Sequence, residues 1–171
     1  LMTLGTCPEL LVLGWLRNQR LITSLHQLVA VQVDWETGSA AVTTRHGVPG
    51  LAEKLERRTV TTGCGQGTVF GDLLEDLEKI SLPRVTVAQS DLYRLLALLG
   101  QRNEIYRRAG AVHGCSLCTR HEIFFFVEDV GRHNAVDAIA GHMWLHGTQG
   151  GDKIFYTTGR LTSEMVIKVA R

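Results

Sequence analysis

At 171 residues, with 44% hydrophobic and 20% charged side chains, the chain can bury one sizeable core and would be crowded as two. A formal net charge of +1 excludes a general electrostatic pull toward nucleic acid or a membrane surface, so an anionic partner must be held by local groups. No apolar run approaches the ~20 residues that span a bilayer and no signal-like start is present, so a cytoplasmic protein is expected; four unevenly spaced cysteines point to thiol or metal chemistry rather than a disulfide scaffold.

In chain order, residues 1–22 predict a helix, with Pro8 near its first turn and Leu10, Leu11, Leu13 and Leu16 at roughly helical spacing. Cys7, just before it, is expected to be a partly buried residue without chemistry. Alternation over Leu28-Val-Ala-Val-Gln-Val33, a turn at 36–39 and a returning strand at 40–44 predict a hairpin. Residues 47–50 read as loop and 51–58 as a short charged strand or helix end. These elements form an N-terminal helix and hairpin portion, residues 1–58, ahead of an α/β core over 59–171.

Residues 57–62 are β-prone and run into Gly63-Cys64-Gly65-Gln66-Gly67, after which 70–80 has helical periodicity. Glycines on both sides of a cysteine free the backbone for close approach by another molecule, and a following helix N-terminus favours thiolate over thiol. Those are the requirements of a mobile nucleophile. The alternatives are a turn with an incidental cysteine, or a phosphate loop, which the lack of a following Gly-Lys-Ser/Thr disfavours. Residues 82–87 form an extended link, Ser90-Asp91 is expected to cap a helix over 92–101, and its leucines at 92, 95, 96, 98 and 99 are expected in the core.

Residues 109–127 read as strand, turn and strand, the second containing Ile123-Phe-Phe-Phe-Val127. Cys115 and Cys118 provide the one dithiol spacing. A redox pair would want a helix N-terminus that strand-like surroundings do not supply. A tetrahedral metal would need His113 with Cys64 or His121 as further ligands, and a zinc deaminase signature lacks its His-x-Glu and its Pro before the first cysteine. Core packing is a third use, and the residues alone leave the three open. Then come a helix over 135–145, a loop at 147–151, a buried strand over 153–157, and a helix over 163–171 capped by Thr162 or Ser163.

The densest polar stretch is Glu128-Asp-Val-Gly-Arg-His-Asn-Ala-Val-Asp137, at a strand-to-helix junction. Such junctions hold ligands in α/β folds because the helix N-terminus offers free N–H groups to anions. The plainer alternative is a cap from Asp129 or Asn134 with Arg132 and Asp137 paired on the surface.

This stretch, with Gly141 closing it, closely resembles the signature of the FdhD/NarQ family of formate dehydrogenase accessory sulfurtransferases. Further stretches are similar in the same order: Glu9-Leu-Leu-Val-Leu-Gly-Trp-Leu16 with Leu21-Ile22, Thr61-Thr-Gly-Cys-Gly65, Ala109-Gly-Ala-Val-His113, and Thr158-Gly-Arg-Leu-Thr-Ser-Glu-Met-Val166. The resemblance implies a homodimeric carrier on a cytidine-deaminase-like scaffold, a central mixed sheet with helices on both faces. It would take persulfide sulfur from a cysteine desulfurase to the molybdenum cofactor, in its molybdopterin guanine dinucleotide form, of formate dehydrogenase. Cys64 falls on the persulfide position. Gly131, Arg132, His133, Asn134, Asp137, Arg160 and His113 are then expected to bind the cofactor, with Arg132 on pyrophosphate and Asp137 on guanine. Cys115 and Cys118 are accessory thiols or packing residues, and no stoichiometric metal is expected.

The chain departs from the family pattern at three places. Gly67 stands where the loop usually has a second cysteine, and Ala138 where a lysine usually follows the Asp. The family also continues beyond a point equivalent to Arg171, with a segment expected to complete the sheet and site. The competing function classes are a zinc-dependent deaminase-like hydrolase and a non-catalytic chaperone for the cofactor.

Overall fold

The computed structural model describes residues 1–56 and 80–170. The β-prone stretch, the Gly-rich loop with Cys64 and most of the helix expected over 70–80 lie outside the described residues.

Helix α1 (Pro8–Asn18) is shorter than the helix expected over 1–22: it starts on proline, with residues 1–7 leading into it without helical structure, stops at a turn after Asn18, and carries Glu9 in its first turn and Arg17 in its last, each complementing the helix dipole. A 3-10 turn at Leu25–Gln27 leads into β1 (Leu28–Asp34), which pairs antiparallel with β2 (Ser39–Thr44) as the alternation predicted. The Asp34 carboxylate closes the hairpin turn, accepting from the Glu36 amide at 2.9 Å and the Thr37 hydroxyl at 2.7 Å. Helix α2 (Leu51–Glu56) follows.

Helix α3 spans Gln89–Arg102, starting earlier than predicted: Ala88 is the N-cap without a side-chain cap, and Asp91 sits in the first turn, paired with Arg94. Its leucines are only partly core. Leu95 and Leu99 are buried, whereas Leu92 and Leu96 are 43% and 53% exposed, because the face through 95 and 99 alone meets the sheet. The six-residue α4 (Glu104–Ala109) has no periodicity to announce it. A carboxylate from a distant strand holds it: Glu128 accepts from the Ile105 and Tyr106 amides at 3.0 and 2.7 Å, at the positive end of the helix.

Strands β3 (His113–Cys118), β4 (Ile123–Asp129) and β5 (Ile154–Thr157) form a sheet in the order β4-β3-β5. Helix α5 (Arg132–His146) carries the chain from β4 to β5, and α6 (Ser163–Ala170) follows β5. The expected mixed sheet is, among the described residues, antiparallel at every pairing. A short turn makes β3 and β4 a hairpin; the α5 crossover then returns β5 parallel to β4 but on the far side of β3, so no parallel neighbours meet.

Helices do cover both faces. Cys115, Leu117 and Val127 pack with Leu11 of α1 and Ala135, Ala138 and Ile139 of α5. Cys118, Ile123 and Phe126 pack on the other face with Leu95 and Leu99 of α3. Helices α1 and α5 cross glycine to glycine: a Cβ on Gly14 would lie 1.7 Å from the Asp137 carbonyl oxygen, and one on Gly141 would lie 2.0 Å from that of Leu10. No described helix is long and apolar enough to cross a membrane.

Candidate functional site

The polar stretch of residues 128–137 divides among three directions, and the division follows from strand and helix geometry. Neighbours on a strand point to opposite sides, so Glu128 reaches α4 while Asp129 reaches the N-terminal segment. Asp129 is buried and accepts from the Thr3 hydroxyl, the Leu4 amide at 3.2 Å, the Gly131 amide at 2.9 Å and the Asn134 side chain at 3.0 Å. Asn134 also donates to the Met2 carbonyl at 2.6 Å. Both residues strap residues 2–4 across the start of α5. Gly131 is the N-cap, and a Cβ there would press to 3.0 Å on Asn134.

Within α5, His133 and Asp137 are four apart and share one face. Asp137, 2% exposed, accepts from Asn18 of α1 at 2.6 Å and from Lys168 of α6 at 2.8 Å. The alternative of a surface pair between Arg132 and Asp137 is therefore replaced by a buried pair with Lys168, thirty-one residues away. His133 lies 3.5 Å from Glu164, and its carbonyl accepts from Lys168.

Arg132 points elsewhere. The start of β3, the end of β5 and the first turn of α5 meet there, because Gly114 and Thr158 exchange two hydrogen bonds: the Gly114 amide to the Thr158 hydroxyl at 3.0 Å, and the Thr158 amide to the Gly114 carbonyl at 2.9 Å. The Thr157 hydroxyl accepts from the Gly159 amide at 2.9 Å and from the Cys115 thiol at 3.2 Å. The Arg132 stem lies against Gly159, where a Cβ would stand 3.0 Å from its Cδ.

His113 stands close enough to Arg132 and Arg160 that, after burial itself, these two guanidiniums hold its imidazole below the ordinary value. Its Nδ1 and the Arg132 Nε are buried and lack a hydrogen-bond partner among the described residues. Neither Arg132 nor Arg160 forms an ion pair among those residues, and α5 begins without a side-chain cap or an acid in its first turn. Two guanidiniums, a neutral imidazole and a helix N-terminus form a group suited to an anion with several oxygens. Of the predicted binding residues the structure brings together Arg132, Arg160 and His113. It gives Gly131, Asn134 and Asp137 hydrogen bonds within the scaffold around them, while the buried His133 Nε2 lies 3.5 Å from Glu164 and has no hydrogen-bond partner among the described residues.

Cys115 and Cys118 are not brought together. Three residues apart on a strand, they fall on opposite faces and in separate core clusters, so they cannot meet as a dithiol or share a metal ion there. Burial pushes the Cys115 thiol up to about 11 and raises Cys118 and Cys7 as well. Alkylation of the native protein should therefore spare Cys115 and Cys118, both 0% exposed, and denaturant should open both; peptide mass spectrometry reads the sites.

Burial likewise lowers His113, His133 and His142, with Lys168 adding to the effect at His133 and His146 at His142. The unfolded chain takes up these protons near pH 6.5 while the folded chain resists them. This contribution to stability is therefore present well above pH ~6.5 and is lost as the pH falls through and below it. Urea midpoints at about pH 7.5 and about pH 5.5 should show the lower value in acid.

Sequence reasoning missed Thr157, Gly159, Lys168 and Asn18. Gly159 carried the one usable signal, a glycine directly before an arginine after a strand.

The FdhD/NarQ family model matches residues 1–171. The chain is 29% identical over 163 residues to the sulfur carrier protein FdhD of Bacillus pumilus, covering 94% of this chain and 62% of that one. It is 27% identical over 177 residues to the sulfur carrier protein FdhD of Listeria monocytogenes, covering 100% and 68%. Among solved structures it is similar to a formate dehydrogenase accessory protein from Desulfotalea psychrophila, with a TM-score of 0.73 and 26% identity over 99% of this chain and 63% of that one. The chain thus spans about 62% of the length of the first relatives it matches.

Proposed function

The chain belongs to the FdhD/NarQ family, and from that premise we propose that the protein works as a sulfur carrier for formate dehydrogenase maturation. The carrying observation is the family match over residues 1–171, which includes Cys64 and its glycines. Cys64 thiolate attacks the outer sulfur of a cysteine desulfurase persulfide, forming a new S–S bond as the desulfurase thiolate leaves. The Cys64 persulfide then passes its outer, sulfane-level sulfur to the molybdenum cofactor, the substrate of the transfer: the S–S bond breaks, Cys64 leaves as a thiolate, and two electrons from a thiol reductant take the transferred sulfur to sulfide. The carrier acts as a homodimer, on a scaffold related to cytidine deaminase.

Arg132 and Arg160 hold the pyrophosphate of the cofactor's guanine dinucleotide form, with His113 donating or accepting between them. Their lack of ion-pair partners among the described residues supports this assignment. Asp137, with both oxygens engaged by Asn18 and Lys168, supports the α5 scaffold instead of reading the guanine. Losing one charge-assisted bond to phosphate costs ~1.5–3 kcal/mol. Arg132→Ala in the full-length protein should thus weaken guanosine diphosphate binding by roughly tenfold or more, read by calorimetry. Unchanged affinity in a folded variant would take Arg132 out of the site. Sulfur transfer itself is tested by loading the full-length protein with a desulfurase and cysteine and weighing it intact.

A further inference from the structure

We propose that Gly159 and Thr157 are positioning residues that fix the guanidinium of Arg132, and so set anion affinity without touching the anion. The proposal rests on the assignment of Arg132 to an anion site. An arginine stem has several rotatable bonds, and ordering them on binding costs side-chain entropy, so a binding arginine gains from being held before its ligand arrives. At Arg132 the hold comes from packing rather than an ion pair. Its stem runs over Gly159 so closely that a Cβ there would meet Arg132 Cδ at 3.0 Å, Arg132 Cβ at 3.2 Å and Thr157 Oγ1 at 3.2 Å. Contacts this short mean that a methyl group at residue 159 would push the Arg132 stem or the Thr157 hydroxyl aside by a few tenths of an ångström.

The turn that presents Gly159 is itself held in place. Thr157 Oγ1 accepts from the Gly159 amide at 2.9 Å, which bends the chain just after β5, and from the buried Cys115 thiol at 3.2 Å, which anchors the hydroxyl to β3. Thr158 adds two bonds to Gly114 on the same strand. Arg160 follows directly on the same turn, with its side chain exposed, while the packing against Gly159 falls on Arg132. This gives Cys115 a use that needs no reactivity: a protonated thiol donates to the hydroxyl that orders the turn.

The test is a double-mutant cycle on the full-length protein, with inorganic pyrophosphate as probe and calorimetry as readout. If Gly159 acts through Arg132, Gly159→Ala weakens binding by roughly tenfold, Arg132→Ala by at least as much, and the double variant no more than Arg132→Ala alone. Thr157→Val, which keeps the shape and removes the acceptor, should weaken binding, and Thr157→Ser should restore it. A second readout needs no ligand: the NMR titration of His113, which Arg132 depresses, should move in Gly159→Ala toward its course in Arg132→Ala.

Additive losses in the double variant, wild-type affinity in Gly159→Ala, or an unmoved His113 titration in that variant would each overturn the proposal. Failure of the wild-type protein to bind pyrophosphate would instead overturn the anion site, and His113 would still report whether Gly159 places Arg132. Melting temperatures within a few degrees of wild type separate these outcomes from unfolding.

Discussion

Gly141→Val is expected to undock α1 from α5 and to cost about 3 kcal/mol or more, a large part of what a domain of this size has. A Cβ at residue 141 would stand 2.0 Å from the Leu10 carbonyl oxygen and 2.9 Å from the Gly14 amide nitrogen, both backbone atoms that no rotamer change can move aside. Relief requires lifting α1 as a body. That movement pulls Leu11 out of the cluster beneath the sheet and separates Asn18 from Asp137, leaving Lys168 to hold the buried carboxylate alone. Gly14→Ala should act in the same direction, since its Cβ would meet the Asp137 carbonyl at 1.7 Å. The control is Gly100→Ala in α3. Nothing lies within 4 Å of that Cβ, so helix propensity alone should act and stabilise by up to about 1 kcal/mol. Thermal and urea unfolding by circular dichroism measure all three. A Gly141→Val protein as stable as wild type would mean that the two helices do not cross at these glycines.

Local pattern made much of the fold legible. The alternation over residues 28–33 and the turn after Asp34 gave the hairpin, and Pro8 with its following leucines gave α1. Elements held by distant groups were not legible. Helix α4 depends on a carboxylate from β4, and no local period marks it. The exposure of Leu92 and Leu96 follows from which face of α3 meets the sheet, a matter of docking that a leucine count does not contain.

The candidate site was legible as a place more than as a set of contacts. The stretch 128–137 does lie at a strand-to-helix junction, but successive residues of a helix turn through ~100°, so Arg132 and His133 leave the axis in different directions. Asp137 found its cation in Lys168 of α6, a pairing between segments that sequence order keeps apart. The separation of Cys115 from Cys118 follows from strand parity alone. Once 113–118 is read as a strand, an odd spacing puts the two thiols on opposite faces.

Cys64→Ala should abolish sulfur loading outright, the largest functional effect expected of any single change. A persulfide carrier needs a thiolate whose loop lets two partners reach it in turn, and glycines at 63, 65 and 67 suit Cys64 to that work. The other cysteines are poor substitutes. Cys115 is fully buried with its thiol raised to about 11, Cys118 is equally enclosed on the opposite face, and burial also raises Cys7. The decisive measurement is the intact mass of full-length wild type, Cys64→Ala, Cys115→Ala and Cys118→Ala after incubation with a cysteine desulfurase and cysteine. The expected result is the added mass of sulfur on wild type and on both strand variants, lost on treatment with a thiol reductant, and none on Cys64→Ala. Sulfur retained by Cys64→Ala but lost from Cys115→Ala would contradict it and place the carrier on β3.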